Sequence, residues 1–206
     1  GDNTNDDKDK LQALMNTETN KKLALDTNSI YKTSDKVLVK SSINGNKSTI
    51  NGTLETLRID NNVKDITIQD TNINSGNIAV YVNDAGASQE YSVEPNRNII
   101  INNKITSVKG LRARTGNGGN THNKNIFMLN NVKTTGGDNT DIGIESWNGD
   151  STIAFNSIMK TGNVAKTGSS GITFGQYDGQ KAIANIVEGF RYGIEVGGVG
   201  KNTLVF

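Results

Sequence analysis

Residues 96–105 read NRNIIINNKI, and residues 123–132 read NKNIFMLNNV. Each sets a short β-type run among asparagines, then a polar turn, then one more apolar residue. DSTIAFNSI (150–158) and QKAIANIV (180–187) keep the plan, and VKDITIQDTNI (63–73) is an earlier version of it. In the four from residue 96 onward, an Asn stands two positions before the closing apolar residue. The pairs are Asn103/Ile105, Asn130/Val132, Asn156/Ile158 and Asn185/Val187, and the steps between the asparagines are 27, 26 and 29 residues. Asn tolerates left-handed backbone angles and so suits turns. Stacked at equivalent turns, its amides can hydrogen-bond from one coil to the next.

A second phrase keeps a similar beat. Gly110-Leu111, Gly143-Ile144, Gly171-Ile172 and Gly193-Ile194 follow one another at steps of 33, 28 and 22 residues. Repeats of this length belong to solenoids or propellers, and a propeller blade needs four antiparallel strands in about 40 residues. Each unit here holds two or three strands of three to five residues. That suits an all-β chain wound as a right-handed parallel β-helix, with Ile, Val, Leu and Phe stacked inward. The uneven steps place one loop of variable length in each coil, as at TGNGGNTHNKN (115–125).

Composition narrows the remaining classes. The 206 residues suffice for one domain with a substantial core. A net charge of +1 and scattered basic residues give no reason to expect nucleic acid or an anionic membrane as partner. No apolar run approaches the roughly 18 residues of a membrane span. There is no Cys, one His (His122) and one Pro (Pro95), so disulfides, thiolate metal sites and multi-His zinc sites are excluded, and no cofactor is expected. Low hydrophobicity alone would allow disorder. The regular alternation of apolar residues between Gly and Asn argues for a folded solenoid instead.

The opening GDNTNDDKDKLQALMN resembles the GDGxxDDxxAIQxAI start of pectate-lyase-like β-helix proteins, above all phage tailspikes and capsule depolymerases. Asp2, Asp6, Asp7, Leu11, Ala13 and Leu14 match, while Asn3 replaces the second Gly. LALDTNSIYKTSD (23–35) stands where that family has "LPPGTYxV", without its two prolines. SSINGNKSTING (41–52) stands for "xxIxGnGxxI". The resemblance covers residues 1–52 by motif and the rest by coil pattern. It implies a tailspike-like protein that binds and degrades a bacterial surface polysaccharide, as a glycoside hydrolase or a polysaccharide lyase. It further implies a homotrimer on a phage virion tail or otherwise outside the cell. A non-catalytic glycan-binding module and a structural fibre segment are the alternatives.

Residues 1–22 read as an N-terminal cap and entry, and 23–206 as the β-helix. Asp6 and Asp7 are placed to cap a helix whose Leu11, Leu14 and Met15 share one face over the open end of the solenoid. KNTLVF (201–206) reads as the start of another coil, so the chain is expected to be a fragment of a longer protein that self-associates through Leu204, Val205 and Phe206.

Aligned on the Gly-Ile phrase, the residues after the inward apolar one are Arg112, Glu145, Thr173 and Glu195. They are expected to face outward on one wall. Five positions on, Asp150 and Asp178 are expected in register, with Trp147 and Tyr177 nearby. Aromatic faces stack on sugar rings. Inverting hydrolysis needs two carboxyls about 6.5–9.5 Å apart. Glu145, Glu195, Asp150 and Asp178 are therefore the candidate catalytic acids. Trp147, Tyr177, Arg112 and Arg114 are the candidate substrate contacts, an arginine steadying an acidic sugar if the chemistry is elimination. His122 reads as a surface residue, and GNGG (116–119) as a loop without a phosphate-binding sequel.

Overall fold

The computed structural model describes residues 1–17, 21–60, 63–82, 97–114, 124–136, 141–161, 168–175, 177–197 and 202–206. Among these, the strands form two sheets with every pairing parallel, one of eight strands and one of thirteen. The chain is an all-β parallel β-helix with a single helix, Lys8–Thr17, at one end. Parallel crossovers of this kind wind right-handed in nearly all proteins.

Register stacks the core in columns. In the smaller sheet Leu23, Ile43, Ile68, Ile100, Phe127, Ile153 and Ala182 follow one another, all buried. Ile50, Ile73, Ile105, Val132, Ile158 and Val187 form a second column. Leu57, Val80, Leu111, Ile144, Ile172 and Ile194 form a third. Three-residue strands such as Ile126–Met128 bury only the central side chain, which is why the sequence writes one core residue between two polar-facing ones.

The turns are held by side-chain amides. Backbone N–H groups of Thr71, Asn103, Asn130 and Asn156 donate to the Oδ1 of Asn103, Asn130, Asn156 and Asn185 in the next coil, at 2.9–3.1 Å. Each Nδ2 donates back to a strand carbonyl, as Asn130 does to Ile100 at 2.8 Å. Thr71 takes the ladder position in the coil whose segment lacks the Asn. The ladder asparagines are not the left-handed residues. The preceding residue is: Asn102, Leu129, Phe155 and Ala184 have φ of 54°, 56°, 56° and 49°. That turn swings the next side chain inward, where the amide is buried.

A second ladder runs five residues earlier. Ile66 N–H donates to Asn98 Oδ1 and Asn98 N–H to Asn125 Oδ1, both at 3.0 Å. Ser151 and Gln180 take the same place in the next two coils, and Arg97, Lys124, Asp150 and Gly179 precede it with positive φ. Here the ladder breaks, for Asn125 Nδ2 and Ser151 Oγ have no hydrogen-bond partner among the described residues.

The two repeated phrases interlock. A Cβ on Gly143 would collide with Cγ2 of Ile158, and one on Gly171 with Cγ1 of Val187. Those are the apolar residues two after the ladder asparagines of the next coil. Gly is required where the wall strand bends past them.

The cap combines a strand and a helix. Asp2–Asp6 pairs in parallel with Ile30–Thr33, which the sequence did not signal. The Asp7 carbonyl accepts the first helical hydrogen bond from Leu11 N, and Asp6 Oδ1 accepts from the backbone N–H groups of Lys8 and Ser34. Leu11 and Met15 are buried, but Leu14 lies 41% exposed and is not part of the packed face. Instead Gln12 turns to the sheet. Its amide donates to Leu38 O at 3.2 Å and accepts from Leu38 N at 2.8 Å, satisfying the edge as another strand would.

Asn130→Ala should destabilise by about 2–4 kcal/mol, since it orphans several buried groups at once. Leu129→Gly should stabilise by about 1 kcal/mol, because it relieves a left-handed side chain that is mostly in solvent. Urea unfolding of both variants against the parent checks the contrast, and equal losses would contradict it.

Asp6 titrates below its ordinary 3.8, held down first by the Ser34 hydroxyl and then by Lys8 N–H. Asp2 falls to about 2, mainly through the backbone N–H of Thr4. Folded values below unfolded ones mean that this stabilisation is complete above about 3.8 and lost as pH falls through the depressed values. We expect the melting temperature to drop over that acid window and Asp6→Asn to shallow the drop. Melts followed by circular dichroism would show it.

Candidate functional site

The wall foreseen from the Gly-Ile phrase exists in register. Arg58 pairs with Tyr81, Tyr81 with Arg112, Arg112 with Glu145, Glu145 with Thr173 and Thr173 with Glu195. Each lies one position beyond a core residue of the third column, so it points away from the core. Glu145 and Glu195 are two coils apart, on the order of 10 Å between backbones.

Pointing away from the core does not bring Glu145 into solvent. Its side chain is 1% exposed. Arg112 Nε donates to Oε2, and Arg114 donates to Oε1 from Nε at 3.1 Å and Nη2 at 2.7 Å. The two guanidiniums reach across from the previous coil and close over the carboxylate. This corrects the expectation of an outward, free acid. The signal was present in GLRAR (110–114), which sets one arginine opposite Glu145 and a second two residues on, opposite Trp147.

The same arginines organise the aromatic residues. Arg58 and Arg112 approach the Tyr81 ring, with Cζ 5.5 and 5.6 Å from its centroid. Tyr81 was missed because the earlier coils carry no Gly-Ile phrase. Arg114 lies over the Trp147 indole at 4.6 Å. On the neighbouring strand a Cβ at Gly175 would stand 2.7 Å from Trp147 Cγ, so Gly175 makes room for the ring. Trp147 remains 36% exposed.

Glu195 is exposed and accepts a hydrogen bond from Ser170 Oγ at 2.6 Å. Tyr177, Asp150 and Asp178 are half-buried. Asp150 is not level with Asp178 but with Gly179. Asp150 N–H donates to Asp178 O at 2.9 Å, and a Cβ on Gly179 would collide with the Asp150 carboxyl. The turn after Thr173 is one residue longer than the turn after Glu145, which shifts the two acids out of register. His122 and the loop at 115–123 lie outside the described residues.

Among the described residues no three His, Cys, Asp or Glu side chains gather as a metal site, and no helix is long and apolar enough to cross a membrane. Comparison with protein-family models, curated proteins and solved structures returned no match.

Removing Glu145 leaves two arginines that can still reach water. Removing both arginines leaves the carboxylate without either charge partner and also strips their packing on Tyr81 and Trp147. We expect Glu145→Gln to cost about 1–3 kcal/mol and the double variant Arg112→Ala/Arg114→Ala to cost more, about 3–5 kcal/mol. Urea unfolding ranks them, and the reverse order would show that the pair is not sealed.

Proposed function

We propose that this chain is the β-helix body of a tailspike-like protein that binds and degrades a bacterial surface polysaccharide along the outer wall. The observation that carries the reading is the continuous column Tyr81, Arg112, Glu145, Thr173 and Glu195, roughly 19 Å long at the spacing of parallel strands. Trp147 flanks it. Tyr81, Glu145 and Thr173 are buried within it, and the groups a sugar could reach are the Glu195 carboxylate, the Arg114 guanidinium and the Trp147 ring. The resemblance of residues 1–52 to phage depolymerases supports the substrate class. Trimeric assembly and a virion-tail or extracellular setting come with the same resemblance.

In this reading Glu145 is a positioning residue that fixes Arg112 and Arg114 against the sugar. The work of acid or base falls to carboxylates with access to solvent: Glu195 first, then Asp150 and Asp178. Hydrolysis would need one of them to give a proton to the leaving oxygen while another activates water. Elimination would need one base and an arginine to steady the sugar carboxylate. The sealed state of Glu145 favours a second reading, glycan capture without cleavage, in which the wall only binds.

A panel of capsular and O-antigen polysaccharides tests both, with new reducing ends and unsaturated ends as readouts of cleavage and gel retardation as readout of binding. Glu195→Gln should lower cleavage by about 10²–10⁴-fold with binding kept. Trp147→Ala should weaken binding. Retardation without new ends selects capture, and no retardation by any polysaccharide removes the proposal.

A further inference from the structure

A separate recess lies away from that wall. A groove of about 560 Å³ opens in the N-terminal coils, at the corner where the short strands of the eight-stranded sheet turn into the larger one. That volume is within the usual range of small-ligand sites. All ten residues lining it are Asn, Thr, Lys or Asp. No apolar side chain is available to anchor a peptide or a lipid.

The groove is built rather than loose. Asn46 Nδ2 donates to Leu25 O at 2.8 Å, Asn72 Nδ2 to Lys47 O at 3.0 Å, and Asn102 Nδ2 to Asp70 Oδ1 at 2.6 Å. Gln69 Nε2 donates to the other Asp70 oxygen at 3.0 Å. Each bond uses one N–H of its amide and leaves the second N–H and the amide oxygen for a ligand. The bonds also occupy the only carboxylate. The charged donors left are Lys47 and Lys104, and among the described residues neither forms an ion pair.

The turn fixes where Lys47 sits. Asn46 and Lys47 are successive left-handed residues, with φ of 48° and 64°. Asn or Gly would hold that conformation cheaply, whereas a lysine there costs on the order of 1 kcal/mol. Lys47 stands where Asp70 and Asn102 stand in the next two coils, the left-handed residue before each ladder position, so the repeating turn sets its side chain at the groove.

We propose that this groove binds an acidic oligosaccharide, its carboxylate held by Lys47 and Lys104 and its hydroxyls donating to the Asn oxygens. The ligand class rests on the polysaccharide reading above; the site does not. Lys104 and Arg112 lie on one strand, Lys104–Arg114, eight residues apart and on the order of 25 Å, so groove and wall can be tested separately.

The test is a titration of the isotope-labelled chain, followed by amide resonances, with trigalacturonate, neutral maltotriose and inorganic phosphate in turn. Trigalacturonate should shift Lys47, Asp70 and Asn102, and maltotriose should bind far more weakly. Lys47→Gln/Lys104→Gln should weaken binding by about tenfold or more, while Trp147→Ala leaves it unchanged. Lys104→Gln alone, on a regular strand, should weaken it measurably and serves if the strained site does not tolerate change. The proposal is overturned if shifts are confined to the wall or absent, or if maltotriose binds as well. It is equally overturned if phosphate alone binds as tightly, marking an ion site only, or if the lysine variants bind like the parent. A polysaccharide that binds the wall while the groove stays silent would leave the functional reading intact and remove this one.

Discussion

Every coil of this chain turns sharply where a three-residue strand ends, and each turn leaves backbone N–H and C=O groups inside the solenoid. Buried groups of that kind must be paired. The asparagine amide meets both needs at once, accepting from the coil behind through Oδ1 and donating to a strand carbonyl through Nδ2. The rest of the structure follows from this pairing. It fixes the register between coils, and the register stacks the three apolar columns and the outer wall. The left-handed residue before each ladder position is a cost of aiming the amide inward. The chain accepts it even at Leu129 and Phe155, where the side chains gain little burial.

The fold was legible because a solenoid writes the same requirement repeatedly. Asn103, Asn130, Asn156 and Asn185 declare the ladder, and the Gly-Ile phrase declares the bend that clears Val132, Ile158 and Val187. Their beats match because glycine and β-branched residue meet across coils. The parallel ladder at Asn98 and Asn125 was hidden, since Ser151 and Gln180 continue it with other chemistry. The pairing of Gln12 with Leu38 was hidden for a different reason. Nothing in a local pattern states that a helix side chain will complete a distant strand edge.

The site was legible in register and not in environment. Aligning Arg112, Glu145, Thr173 and Glu195 needs only the repeat. Knowing that Glu145 is sealed needs the length of two arginine side chains and their reach into the next coil. Likewise one additional residue in a turn sets Asp150 against Gly179 rather than Asp178. Solenoid sequences reveal which residues are neighbours far better than which of them meet water.

The interruption at Ser151 has a mechanical meaning. From Ile66 to Asn130 the coils are tied to their neighbours by two lines of amide bonds running parallel to the axis, five residues apart around the circumference. At Ser151 one line is interrupted, and the load between the coils of Asn125 and Ser151 passes through the other line, the sheet bonds and the bridges from Arg112 and Arg114 to Glu145. In a solenoid, cohesion is a sum over nearest neighbours. The two guanidiniums that clasp Glu145 thus act as a rivet across the joint at Ser151, where the amide line is missing.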